Sequence, residues 1–381
     1  MLQKDITLLH LSLVPGIGPA LIDSLRKNSQ AFENIYALSK SDLMHLFSIS
    51  SYASQKIFDG LQNNTMLTDE LRHIEKYKIK WITIDDELYP PLLKEIHLPP
   101  TVLYFKGNLM PQEKMLALVG SRAATVYGKR VVEMLVPPLI NSGWLMVSGG
   151  AQGIDTFVHQ ASIEAHGKTI AILGSGLLRP YPASNKRLFE QIVADGGAVV
   201  SSFPLMTDPL AGNFPARNRI ISGLSRGTVV VQAARKSGAL ITARYALEQG
   251  REVFAIPGSI YDELSAGCHD LITQGATLVS SIDDIAHALV EAIATMSNKE
   301  KLDASEALKR DNGKVSFAQV EIPSQPQSMA DLIVSSCTHP CSLDELLAIT
   351  SLTMAELHAH LFDLQLAQKI SQTVSGLWHA L

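Results

Sequence analysis

A chain of 381 residues, 46 % of them hydrophobic and 18 % charged, is long enough for one large core plus one or two small modules. Its net charge of −5 excludes a protein that coats nucleic acid over its whole surface, so any such binding belongs to a local patch. Three cysteines make no disulfide framework and no run reaches the ~18 apolar residues of a membrane span, so a soluble, cytoplasmic protein without membrane contact is expected.

Residues 1–75 read as a small helical module. LLHLSLVPGIGPALIDSLRKN gives helix, tight turn, helix, with Pro15-Gly16-Ile17-Gly18 as the turn and Leu21, Ile22 and Leu25 on the apolar face of the second helix. This resembles the helix-hairpin-helix (SAM-like) fold of DNA repair proteins, whose glycines let backbone N–H groups approach a phosphate. A helical packing module is the competing reading. KIKWITIDD then reads as a strand, and the prolines of YPPLLKEIHLPPTVLYFKG give extended connections around one short helix.

Residues 76–291 carry the core, and from Met115 the pattern is regular. Apolar runs at Leu116–Val119, Leu145–Ser148, Thr169–Leu173, Gly227–Gln232 and Glu252–Ile256 each end in small or polar residues. Helical patterns separate them, at about Tyr127–Ser142, Gly153–His166 and Gly238–Gln249. Between the third and fourth of these runs come a helix at Asn185–Asp195, a strand at Ala198–Ser201 and a short helix expected at Asn218–Ser225. This rhythm predicts βαβ units, hence an α/β, extended Rossmann-like fold with a mainly parallel sheet. Ligands of such sheets bind where strand C-termini give way to loops.

Those loops carry cations. Ten Lys and Arg stand against seven Asp and Glu between Gln112 and Ser222, a local balance of +3 in an acidic chain. The first loop offers Ser121 and Arg122, and the second Gly149 and Gly150. The third offers Gly174, Ser175 and Gly176, followed by Tyr181, Asn185, Lys186 and Arg187. Phe214, Arg217, Asn218 and Arg219 precede the short helix and complete an expected anion-binding rim. Guanidinium groups grip phosphate bidentately, glycines admit a close backbone, and Tyr181 and Phe214 are the best stacking candidates among the nearby aromatics, which also include Tyr127 and Phe203.

Other chemistry is poorly supported. GSGLL lacks the third glycine of a dinucleotide fingerprint, so no cofactor is expected. Asp155 and His159, four apart on one helix face, find no third ligand. Cys337-Thr-His-Pro-Cys341 supplies too few ligands for a closed zinc site, so no metal is expected.

Residues 292–327 are charged, then polar with prolines, and read as a linker. Residues 328–381 give helix, turn, helix and a β-hairpin, the outline of a winged helix. Its second helix offers Glu356, His358, His360 and Asp363, with Lys369 only at its end, which favours protein contact over DNA reading.

Six ordered blocks make the core similar to the DprA/Smf family of DNA-processing proteins: GSR, SGGAQGID, GSGLLRPYPASN, FPARNRIISGLSRG, SGALITARYALEQGREVFAIPG and GCHDLITQGA. The resemblance implies a homodimer that binds single-stranded DNA and loads RecA recombinase onto it during natural transformation, with no catalytic turnover. A dimer surface is expected around Tyr245, Leu247, Leu271 and Ile272. Two positions depart from the family pattern: Ala183 stands where a Lys often follows Tyr-Pro, and Gln232-Ala233 stands for Glu-Ala. The alternative is an enzyme, a phosphoribohydrolase with a related fold; the nearest stretch to its PGGxGTxxE block is SGGAQGID, which lacks the glutamate.

Overall fold

The structure, a computed structural model, describes residues 3–109 and 112–289 and, beyond them, scattered positions from 333 to 380. The chain divides into two compact units, Met1–Asp303 and Ala304–Leu381.

The first unit opens with six helices: α1 (Gln3–Leu13), α2 (Pro19–Arg26), α3 (Ser29–Glu33), α4 (Lys40–Phe47), α5 (Ser51–Gln62) and α6 (Thr65–Lys76). Serine caps fix two of the entries, with a reciprocal Ser39–Asp42 box at α4 and Ser50 accepting from the Ala53 amide at α5. Gly16 takes φ +83° in the turn between α1 and α2, a conformation that needs glycine. The apolar faces do not close on themselves. Leu8, Leu11, Ile22, Leu25 and Ile57 join one core cluster with residues of the sheet that follows. Polar ties cross as well: the Thr83 hydroxyl donates to Asp5, and Arg26 and Lys4 both pair with Asp85.

Nine strands form one sheet: β1 (Lys80–Thr83), β2 (Val102–Gly107), β3 (Met115–Val119), β4 (Leu145–Ser148), β5 (Thr169–Ile172), β6 (Ala198–Ser201), β7 (Gly227–Val230), β8 (Glu252–Ala255) and β9 (Thr277–Leu278). Their order is β1-β2-β6-β5-β4-β3-β7-β8-β9. Both pairings of β2 are antiparallel, and every pairing from β6 to β9 is parallel. The Rossmann-like α/β class expected from the sequence is therefore present, with an antiparallel extension on one edge. Chain order reverses between β3 and β7, which makes that seam the topological switch point.

Seven helices accompany the sheet: α7 (Pro91–Lys94), α8 (Val126–Asn141), α9 (Ile154–Glu164), α10 (Lys186–Ala194), α11 (Asn213–Gly223), α12 (Gly238–Glu248) and α13 (Glu263–Thr273). A further helical stretch covers residues 282–289. The period-2 geometry of β3 sorts its side chains. Leu116 and Leu118 pack with α8 and α9, while Met115, Ala117 and Val119 share a cluster with α11, α12 and α13. A sheet covered on both faces explains strands that are apolar at nearly every position.

One boundary differs from expectation in a way that matters. The sequence suggests a short helix from Asn218, with Phe214 and Arg217 in the loop before it. Helix α11 instead begins at Asn213. Pro215 is the reason for the misreading: it looks like a breaker, yet it occupies the first turn, where a missing N–H costs nothing.

In the second unit, Ile333, Leu346, Leu357, Leu361 and Leu364 are buried with Ile370 and Trp378. The last two belong to an antiparallel pair, β10 (Ile370–Gln372) and β11 (Trp378–Ala380). The expected linker, the Cys337–Cys341 segment, His358 and Asp363 lie outside the described residues.

Candidate nucleic-acid interface

The seam between β3 and β7 opens at its C-terminal end into a cavity of about 610 Å³. That size falls in the range of about 300–1,000 Å³ usual for small-ligand sites. The loop after β3 brings Ser121 and Arg122, α11 brings Phe214, Arg217 and Asn218, and the start of α12 closes the far wall. A narrow annex of about 60 Å³ continues past Gly149 toward Tyr181.

The rim is aromatic and cationic. The Tyr181 and Phe214 rings lie 5.7 Å apart at 57°, the tilted arrangement aromatic pairs favour. The exposed Arg122 guanidinium stands over the Phe214 ring at 5.3 Å, and that of Arg217 approaches the same ring at 5.9 Å. Tyr181 keeps 47 % of its surface open. Lys186 and Arg187 open α10, both exposed, and neither lines the cavity or its annex. Ala183 is exposed on the single turn of 3-10 helix just before them.

The floor is buried and polar. Arg217 is 4 % exposed and Asp155 6 %. Asp155 Oδ2 accepts from the amides of Gly149 and Ala151 at 3.1 and 3.2 Å. Arg217 donates through Nη1 to the carbonyls of Gly149 and Ile172 and through Nε to Asn218 Oδ1. Burial pulls the Arg217 guanidinium down to about 10 and pushes the Asp155 carboxyl up, each opposed by the other's charge. Asn185 brackets the same loop from the side, donating to Gly150 O, Ala151 O and Thr156 Oγ1. Behind it, His159 Nδ1 lies 2.8 Å from Thr169 Oγ1, whose own proton goes to Met146 O. The proton therefore sits on Nδ1, and the buried Nε2 has no partner among the described residues. Burial lowers this imidazole to about 3, so it is neutral.

The candidate residues thus separate. Ser121, Arg122, Tyr181, Phe214, Arg217 and Asn218 meet at the cavity and its annex. Asn185 is a buried bracket rather than an open ligand, because its amide is spent on the loop. Gly149 borders the annex, but Gly150 presses on Phe189: a Cβ there would lie 2.7 Å from that ring. The Gly174-Ser175-Gly176 loop is closed by protein. Phe214 packs over Gly174, the backbone of Pro204 and Leu205 covers Gly176, and all three residues are buried. Its glycines admit the protein's own atoms and leave no open face for a phosphate. Arg219 points away from the cleft and ties α11 to the carbonyls of His97 and Leu98. Phe203 lines a separate cavity with it. Tyr127 donates its hydroxyl to Pro257 O at 2.6 Å. Asp155 is held by the Gly149 and Ala151 amides and His159 through Nδ1 by Thr169, and of the two only Asp155 lines the cavity.

Sequence reasoning missed the wall built by Lys236, Ser237 and Thr242. The signal was present: they follow β7 as Arg122 follows β3. Gln232, the departure from Glu, is a buried strut whose Oε1 accepts from the Thr125 amide. Of the expected dimer residues, Leu271 is part of the core, Tyr245 and Ile272 are half-buried, and Leu247 is 56 % exposed.

The sequence profile of the DNA recombination-mediator protein A family matches residues 80–290, which span the sheet and the cleft. The chain belongs to that family. Protein Smf of Synechocystis is 33 % identical over 95 % of both chains. DNA processing protein DprA of Bacillus subtilis is 46 % identical over 56 % of this chain and 72 % of its own. Among solved structures, the X-ray structure of DNA processing protein A from Streptococcus pneumoniae covers 75 % of this chain and 98 % of its own, at 37 % identity and a TM-score of 0.64. Membership fits the geometry: the matched stretch contains every residue of the cleft. No helix among the described residues is long and apolar enough to cross a membrane.

Proposed function

We propose that this chain binds single-stranded DNA in the β3–β7 cleft and passes it, as a cytoplasmic homodimer, to a RecA-type recombinase during natural transformation. One observation carries the reading: the exposed Arg122 stands over Phe214, which pairs with a half-open Tyr181. Cations beside an aromatic platform suit a strand whose bases are free to stack and whose phosphates need neutralising. The names borne by the relatives, DNA processing protein and recombination mediator, point to the same polymer. Dimerisation through the exposed part of α12 around Leu247, DNA or protein contact by the N-terminal helices, and a protein-contacting winged helix at residues 328–381 belong to the same proposal.

The phosphoribohydrolase reading is weaker. Among the described residues Asp155 is the one carboxylate lining the cavity, and two backbone amides already occupy it. Binding without turnover is the better account.

Fluorescence anisotropy with labelled oligo-dT and a matched duplex, at two salt concentrations, tests the reading. Tight, salt-sensitive binding of the single strand is expected, with Arg122→Ala weakening it about tenfold at unchanged Tm. Failure to bind either DNA overturns the proposal and sends the search to nucleoside monophosphate hydrolysis.

A further inference from the structure

Two ionisable side chains on the cleft floor are buried and face each other across one glycine. A Cβ built on Gly149 would lie 2.7 Å from Asp155 Oδ2 and 2.9 Å from Arg217 Nη1. No direct ion pair joins them; the carboxylate takes backbone amides and the guanidinium gives to backbone carbonyls. Both nevertheless line the cavity that Arg122 borders. The carboxylate thus stands where a bound phosphate chain feels its charge, in a setting little screened by water.

We propose that Asp155 is a positioning residue that cancels the charge of Arg217 on the cleft floor, so that a single strand is gripped by the rim cations alone and is easily released. This rests on the single-strand reading above. A floor with a net positive charge would hold phosphate tightly, which is a poor property for a protein that must give its strand away. Neutralising the floor leaves the grip to Arg122 and the rim, where water and salt compete. The carboxylate also fixes the Gly149–Ala151 loop on which Arg217 hangs, so one side chain sets both geometry and charge. The ionisable groups that bear on Asp155 and Arg217 are each other, Arg122 and the neutral His159; the Ser148 hydroxyl completes the surroundings.

The test is oligo-dT binding by Asp155→Asn, with dissociation rates from stopped flow and Tm as a control. Asparagine keeps an oxygen for the Gly149 and Ala151 amides and removes the charge, with an NH2 donor in place of the second oxygen. Binding about fivefold tighter, with slower dissociation, is expected. Unchanged or weaker binding by a folded variant overturns the proposal, because a merely structural Asp155 would only lose affinity. Asp155→Ser is the second neutral variant should Asn not fold, and Asp155→Glu should restore wild-type behaviour. The wild-type protein supplies a further readout. Burial raises the Asp155 carboxyl, so its protonation on acidification should tighten binding of oligo-dT, whose base gains no proton in that range. Wild-type affinity that stays flat on acidification overturns the idea as well. If the wild-type protein binds no single strand at any pH, the function proposed above is what fails.

Discussion

Arg122 and Arg217 approach the same aromatic ring and are held in opposite ways. Arg217 is buried, pinned by the Gly149 and Ile172 carbonyls and Asn218 Oδ1, and faces Asp155. Arg122 is exposed, with the Phe214 ring as its contact. Floor and rim therefore divide the work. The floor is over-determined, so its residues set shape and lose stability when changed. The rim is under-determined, so its residues can follow a ligand and lose affinity when changed.

The sharpest break of that division is Arg217→Met. It strands the Gly149 and Ile172 carbonyls and leaves Asp155 buried without a counter-charge, a loss of about 3–5 kcal/mol. Urea unfolding should show it as a large drop in midpoint at unchanged slope. A variant with wild-type stability and weakened DNA binding would put Arg217 with the rim.

How much of this was legible in the sequence follows from the same contrast. Arg122 and the βαβ rhythm were readable because strand ends in parallel sheets face the ligand side whatever the ligand. Arg217 and Arg219 were not separable. They look like one basic cluster until α11 is known to begin at Asn213; two residues apart on a helix, they then point about 160° apart. One enters the floor and the other ties down the His97–Leu98 turn. Gly174 and Gly176 misled for a related reason. Glycine permits close approach, and the sequence does not say whether a phosphate or Phe214 is what approaches. Asn185 likewise reads as a ligand until its amide is seen to be spent on the loop.

His159 extends the contrast to pH. Its neutral imidazole is buried with a lowered pKa of about 3, against 6.5 for the unfolded chain. Between those values the unfolded state binds a proton that the folded state refuses. The stability this group contributes is therefore complete above about pH 6.5 and is lost on acidification, by up to about 1.4 kcal/mol per pH unit. Urea midpoints at pH 7 and pH 5 should fall for the wild type and fall less for His159→Gln. Equal slopes would mean that other groups govern acid stability.

The rim can be sharpened at Ala183, the smallest expected effect. This residue is exposed on the turn between Tyr181 and Lys186. Ala183→Lys adds a cation where no buried packing is at stake, so Tm should not move. If the strand passes over this wall, affinity for oligo-dT should rise a few-fold at low salt, and the slope of log K against log salt should steepen by about 0.7, the value of one more neutralised phosphate on a single strand. A gain in affinity without a change in slope would mean general attraction rather than a contact. No change in either would place the strand's path on the α12 side of Arg122, toward Lys236.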